Sequence, residues 1–331
     1  MTTQTDPLRI AYVGNFQPEH STENHVAETL RRMGHEVVPL QENDPTTWQL
    51  ETLPTRFSTG PDLVLWTRTA SLSPPDDVAL QLLDLLQRVG VPSVGFHLDR
   101  WWGLAREHQV HESPFFRCAL VCTADGGHDQ QWQQAGVEHM WLPPAVAEFE
   151  MGWGHRDPLL ASHIAFVGSW NGYHDEWPWR QRLVRTMANR YGETFRCWPE
   201  PGQHAIRGNR LRNLYASVDV VVGDSCLAGG ATHYWSDRIP ETLGRGGLLI
   251  HPDVEGLWPQ FTDEHLVVVE PENVVAMFEA VDRVLAWPVE RRYEMRRAAM
   301  AHVAAHHTYH RRMVQLLDEL ATRGMIRGGA R

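Results

Sequence analysis

The stretch His233–Tyr234–Trp235–Ser236–Asp237–Arg238–Ile239–Pro240–Glu241–Thr242–Leu243–Gly244–Arg245–Gly246–Gly247, running into Leu248–Leu249–Ile250, decides how this chain is read. It predicts a loop, a short helix capped by Ser236 or Asp237, a glycine stop and a buried strand. Pro240 falls in the first turn, where a missing N–H costs least. Arg238 and Glu241 therefore sit at the N-terminal end of a helix beside a sheet, where free N–H groups and the helix dipole attract phosphate. Arg238 would add a bidentate clamp on a diphosphate, and Glu241, one turn on, would accept hydrogen bonds from a ribose diol. The plainer alternative is a surface helix carrying an i,i+4 Glu241–Arg245 pair.

Working outward, apolar runs and amphipathic stretches alternate. Leu8–Val13, His35–Leu40, Asp62–Trp66, Pro92–Phe96, Ala119–Thr123 and His139–Leu142 read as strands, and Thr22–Met33 and Asp76–Val89 as helices. Alternation of this kind gives parallel βαβ units and a doubly wound sheet, with ligands beyond the carboxyl ends of the strands. Those ends carry Gly14, Thr67–Arg68, His97–Leu98–Asp99–Arg100 and Thr123–Ala124–Asp125. Pro143–Pro144 and the glycine-spaced Met151–Gly154 break the pattern, which places a linker near 143–160. The alternation then restarts with strand His163–Val167, loop Gly168–Ser169–Trp170–Asn171–Gly172, helix Trp179–Tyr191 and strands Thr194–Trp198, Val218–Gly223 and Leu266–Val269. The expected architecture is α/β, two Rossmann-like domains facing across a cleft, at 1–150 and 151–310, with a C-terminal helix and tail at 311–331.

Composition narrows the function. A chain of 331 residues exceeds a usual single core. Its 30 basic residues are all arginine, which excludes Schiff-base chemistry on a lysine of this chain. Residues 1–150 hold 9 arginines against 20 acids, a formal −11, whereas 151–331 are balanced. That acidity argues against a long polyanionic partner on the first half. Eight arginines between 180 and 212 form either a basic face or the solvated side of a helix. No run approaches a membrane span, so no membrane partner is expected. Four scattered cysteines, none in a CxxC pair, suit a reduced cytoplasmic protein.

The strand–glycine starts at Val13–Gly14 and Phe166–Val167–Gly168, the string Arg238–Gly247 and the helical C-terminus resemble the GT-B glycosyltransferases. The resemblance is to the bacterial and phage proteins similar to spore-maturation glycosyltransferases. It spans nearly the whole chain, strongest over 163–310. It implies an acceptor-binding first domain and a second domain that binds a nucleotide sugar as co-substrate, with no cofactor. Glu241 would hold the ribose, Arg238 the diphosphate, and Gly168–Ser169–Trp170 the loop facing the phosphates. Ser236 and Gly14 complete that donor set. His233 joins it eight positions before Glu241, where many retaining members carry a second glutamate. Trp170 and Asn171 stand where many carry a basic residue.

Glycosyl transfer needs the leaving diphosphate stabilised and, in an inverting enzyme, the acceptor hydroxyl deprotonated. Arginine and helix N–H groups can do the first without a metal. Asp99 and His97 are the candidates for the base, ahead of His20 and Glu23. Alternatively Asp99 pairs with Arg100 or Arg106 and only orders a loop. His302, His306 and His310, at i,i+4 spacing, lack a fourth ligand, and no Asp-x-Asp, Walker A or G-x-G-x-x-G sequence is present, so no metal site is expected. The acceptor is a small molecule, glycan or protein hydroxyl, or a hydroxymethylated pyrimidine in DNA. A nucleotide-sugar epimerase or hydrolase, or a non-catalytic sugar-nucleotide module, is the alternative function, and the sequence sets no oligomeric state.

Overall fold

The computed structural model describes residues 6–48, 60–69, 74–170 and 175–327. The chain forms two compact units, Met1–Pro143 with Tyr309–Arg331, and Pro144–Thr308. Each is a parallel sheet flanked by helices, the α/β class that the alternation predicts.

In the first unit, strands β1 (Arg9–Gly14), β2 (Glu36–Gln41), β3 (Leu63–Trp66), β4 (Ser93–His97), β5 (Leu120–Thr123) and β6 (His139–Trp141) lie in the order β2-β1-β3-β4-β5-β6. Their inner residues are apolar on both faces, as strands covered by helices on both sides require. Helix α1 (Thr22–Arg32) starts where Ser21 Oγ accepts the Asn24 N–H at 3.2 Å. Helices α2 (Asp76–Arg88) and α3 (Asp129–Gln134) follow β3 and β5. An aromatic core of Trp48, Trp66, Trp101, Trp102, Phe115, Phe116 and Trp132 fills the space beside the sheet. Most of this unit's tryptophans are thus packing residues.

The second unit repeats the topology. Strands β7 (Ser162–Val167), β8 (Phe195–Trp198), β9 (Val218–Val222), β10 (Leu249–Pro252) and β11 (Val267–Val269) lie in the order β11-β10-β9-β7-β8. Helices α4 (Trp179–Tyr191), α5 (Gly208–Ser217), α6 (Arg238–Gly244), α7 (Val274–Leu285) and α8 (Val289–His306) complete it. In both sheets the strand order reverses once, between β1 and β3 and between β7 and β9, and such a switch point opens a crevice at the carboxyl edge.

The last helix, α9 (Tyr309–Thr322), packs on α1 in the first unit instead of standing apart as a tail. Its apolar stripe Met313, Leu316, Leu317 and Leu320 is buried, and the buried Arg312 donates Nε–H to the Pro143 carbonyl at 2.7 Å.

Candidate functional site

The switch point of the second sheet brings Arg238 against Gly168, with Ser236 and Glu241 on or beside the same helix, whereas Gly14 of the expected donor set lies at the end of β1 in the other sheet. Gly168, just past β7, has φ +130, a conformation that favours glycine. A Cβ there would come 2.1 Å from Arg238 Nη2, so the close approach demands glycine as well. Arg238 opens α6, donates Nε–H to the Val167 carbonyl and Nη1–H to the Asp224 carbonyl at 3.2 Å, and lies over the Phe166 ring at 5.2 Å. One guanidinium thus spans the ends of β7 and β9. Ser236 Oγ accepts the Arg238 N–H at 3.2 Å and donates to Asp237 Oδ1 at 3.1 Å. Asp237 is the N-cap residue but makes no capping bond from its side chain, and Ser236 Oγ takes the first-turn N–H in its place.

Glu241, one turn on, keeps a quarter of its side chain exposed, with Oε1 3.7 Å from Arg245 Nη1. Burial raises its pKa, and the Arg245 charge is the main opposing effect. Arg245 is buried and also reaches Glu150 Oε2 at 3.4 Å. The Glu241–Arg245 pair expected of a plain helix is present, and it holds the carboxylate at the mouth of the same edge. His233 has φ +50, donates its N–H to the Glu255 carbonyl at 2.6 Å, and packs its ring where a Cβ on Gly256 would sit. Ser169 is exposed, and its carbonyl accepts Arg180 Nη1–H at 3.2 Å. Trp170 is half-buried, while Asn171 and Gly172 lie outside the described residues.

Two groups here escaped the sequence reading. Asp224, fully buried just after β9, accepts Arg180 Nε–H at 2.9 Å and Trp177 Nε1–H at 3.0 Å through Oδ2. Burial raises the Asp224 pKa, and Arg180 opposes the rise most. Ser225 Oγ accepts the Ser236 N–H at 2.8 Å and donates to His251 Nε2 at 3.0 Å, while His251 Nδ1–H donates to the Pro252 carbonyl at 2.7 Å. Burial pushes His251 down to about 3, so it stays neutral. The available signal was the polar Asp224–Ser225 pair one glycine after the valine-rich strand Val218–Val222. Arg180 was hidden among eight arginines.

Half of that basic run is engaged internally, Arg180 as above. Arg190 pairs with Asp282, Arg196 with Glu200, and Arg212 donates to the Met151 carbonyl. Similarly, His302 Nε2 engages the Gln260 carbonyl at 2.7 Å and His307 Nε2 at 3.2 Å, while His310 falls in the other unit. Of the expected row, it is His302 that meets Gln260, joined there by His307.

At the first sheet's carboxyl edge, Gly14 ends β1 where a Cβ would meet Glu23 Cγ at 2.7 Å. Glu23 is buried, which raises its pKa. His97 Nδ1 accepts the Asp99 N–H at 3.1 Å, and its ring lies 4.7 Å from that of Trp101. Burial pushes His97 down to about 4. With Nδ1 taken by that N–H and the ring held neutral by burial, His97 orders the turn that carries Asp99. Asp99 remains 42% exposed, with Oδ2 3.1 Å from Arg106 Nη1. Arg106 in turn lies 5.2 Å over Trp101.

Residues 180–318 match the family described as Glycosyl transferase-like. No curated protein matches the chain. Among solved structures, it is similar to the sucrose-phosphate synthase of Thermosynechococcus elongatus (12% identity, TM-score 0.62, 96% of this chain and 100% of that one). It is also similar to Anabaena HepE in complex with UDP and glucose (11%, 0.60, 95% and 100%). A third is an alpha-glucosyltransferase in complex with UDP and a 13-mer DNA (10%, 0.63, 95% and 100%). At these identities the likeness is one of fold, and that fold is GT-B. No described helix is long and apolar enough to cross a membrane.

Proposed function

We propose that the chain is a glycosyltransferase that moves a sugar from a uridine-diphosphate sugar to an acceptor hydroxyl without a metal, a reading supported by the glycosyltransferase-like family match over 180–318 on a GT-B fold. The observation that carries this reading is Arg238, laid on Gly168 across the ends of β7 and β9, with Glu241 one turn further. A guanidinium so placed meets the charge that develops on the leaving diphosphate, with no reorganisation during the reaction. Glu241 at the edge suits the ribose diol. HepE and the alpha-glucosyltransferase were crystallised with UDP, which favours uridine among the nucleotides.

Asp99, an exposed carboxylate past β4, is the group we assign to the acceptor proton. The acidic first half favours a small-molecule, glycan or protein hydroxyl over hydroxymethylated DNA, even though one structural neighbour holds DNA. Four cysteines, three of them buried and none in a CxxC pair, suit a reducing cytoplasm. The test is a panel of nucleotide sugars with calorimetry of UDP, run in excess EDTA. Turnover is expected to survive chelation. Loss of activity with EDTA and recovery with Mg²⁺ or Mn²⁺ would overturn the metal-independent mechanism.

A further inference from the structure

The carboxyl edge of the first sheet holds a second aspartate. His97 and Thr123 are register partners on β4 and β5, so Asp99 and Asp125, each two residues on, leave the sheet from neighbouring strands. Asp125 is fully buried, and its Oδ2 accepts the N–H groups of Trp101 and Trp102, each at 2.8 Å. Its Oδ1 makes no hydrogen bond. His128 Nε2 lies 3.7 Å from that oxygen and Arg100 Nε 3.8 Å, both beyond hydrogen-bonding range. Both ring nitrogens of His128 and the indole N–H of Trp102 are also buried without partners, yet the His128 side chain is 13% exposed.

A buried polar group left unsatisfied is costly and rare. Here several converge at a strand end, where ligands of this architecture bind. An oxygen between Asp125 Oδ1 and His128 Nε2 would be within about 2.8 Å of both. It must donate to a carboxylate and accept from, or share with, a neutral imidazole. A hydroxyl can do both, whereas a phosphate oxygen would be repelled. Burial lowers the His128 pKa against the opposing charge of Asp125, which keeps the ring neutral near pH 7. Trp102, packed in the aromatic core, backs the His128 ring at a centroid distance of 6.2 Å.

We propose that Asp125 and His128 form a subsite for a second hydroxyl of the acceptor, so that the acceptor is a polyol such as a glycan and not a lone hydroxymethyl group on a base. The inference rests on the glycosyltransferase reading and leaves the reacting proton with Asp99. Asp125 stays fixed by two backbone N–H groups, and His128, the partly exposed member, turns to admit the hydroxyl. Both are positioning residues.

The test follows the His128 ring by NMR while methyl α-glucopyranoside is added, with ethanol as the single-hydroxyl control. A saturable shift with the glucoside alone, lost in Asp125→Asn, is expected. An asparagine keeps an acceptor for the two tryptophan amides, so folding should hold. No shift, or the same shift with ethanol, overturns the subsite. In parallel, Asp125→Asn and His128→Gln should raise the KM of polyol acceptors about tenfold or more with kcat less affected and UDP affinity unchanged. If hydroxymethylated DNA takes the sugar and every polyol fails, the subsite falls while the transferase reading stands. If UDP does not bind but the glucoside shift persists, the donor assignment falls and the subsite stands.

Discussion

Each unit buries an arginine–aspartate pair at the carboxyl edge of its sheet, and the two pairs are built differently. In the second unit Arg180 Nε and Asp224 Oδ2 close to 2.9 Å, with Trp177 on the same oxygen. In the first, Arg100 Nε and Asp125 Oδ1 stand 3.8 Å apart, and that oxygen faces His128 instead of bonding it. All four side chains are 1% exposed or less. A closed pair fixes strand ends, here the loop carbonyls on which Arg238 is mounted. A gapped pair keeps hydrogen-bonding capacity in reserve. The difference suits the assignment proposed for the two edges, a preformed nucleotide site and an acceptor site completed by its ligand.

The largest effect expected is chemical and lies on the open edge. Asp99→Asn should cut turnover by roughly 10²–10⁴ while leaving UDP affinity unchanged. Near-normal turnover would pass the role to His97, and near-normal turnover in His97→Gln as well would favour a route without a protein base at this edge.

The closed pair should be the more expensive one to break. Arg180→Ala leaves Asp224 buried and uncompensated, at a cost of about 3–5 kcal/mol in denaturant unfolding of the second unit. Asp125→Asn should cost clearly less, because its two backbone N–H partners keep an acceptor. Equal losses would erase the distinction drawn above.

Acid should separate the units next. His97 titrates near 4 in the fold against 6.5 in an unfolded chain. The unfolded state therefore binds the proton first, so stability is full above about pH 6.5 and falls as the pH drops toward 4. That is a loss of up to about 3 kcal/mol. His139, also in the first unit and stacked on Trp132, is held down to about 3 by burial and adds to the same trend. His97→Gln should flatten this part of the stability–pH curve. An unchanged slope would show that the ring is not buried neutral.

Smaller still, in affinity, is the effect of disturbing the donor clamp. Arg238→Ala should weaken UDP binding by about 1.5–3 kcal/mol, and Glu241→Ala by no more. Gly168→Ala should match Arg238→Ala without touching the arginine, because the new methyl would occupy the guanidinium's place and φ +130 is strained for alanine. If Gly168→Ala binds UDP normally by calorimetry, Arg238 does not need the loop, and the preformed character of this edge is lost.

Most of the architecture was legible in the sequence because parallel strands buried on both faces announce themselves as apolar runs. Helix Trp179–Tyr191 falls where the periodicity sets it, and the strands lie within about two residues of the predicted bounds. Arg238, Glu241 and Gly168 were legible because an arginine and a glutamate one turn apart, beside a glycine-ended strand, make a local pattern. The partners that hold them were not. Arg180 and Asp224 are 44 residues apart, and an arginine among eight looks the same from sequence whether it is solvated or buried. Asp125 and His128 share a loop, but the gap between them is a matter of ångströms. Helix α9 was legible as a helix, yet its apolar stripe does not say which sheet it will cover.

The smallest effect concerns those arginines as a surface. Were the run from 180 to 212 a phosphate-binding face, affinity for DNA would fall steeply between about 50 and 200 mM salt, with a slope set by the phosphates met. Arg180 is buried, Arg190 and Arg196 have carboxylate partners, and Arg212 is bonded to a backbone carbonyl. A guanidinium already neutralised by an aspartate releases few counterions when a phosphate approaches, so the slope should be shallow. Arg190→Ala should change it by less than one unit of log–log slope and cost no more than about 1 kcal/mol of stability, as for other exposed pairs. A steep slope that Arg190→Ala reduces would mean that these pairs open to meet a polyanion, and that the second unit, however closed at its donor edge, keeps a second face in reserve.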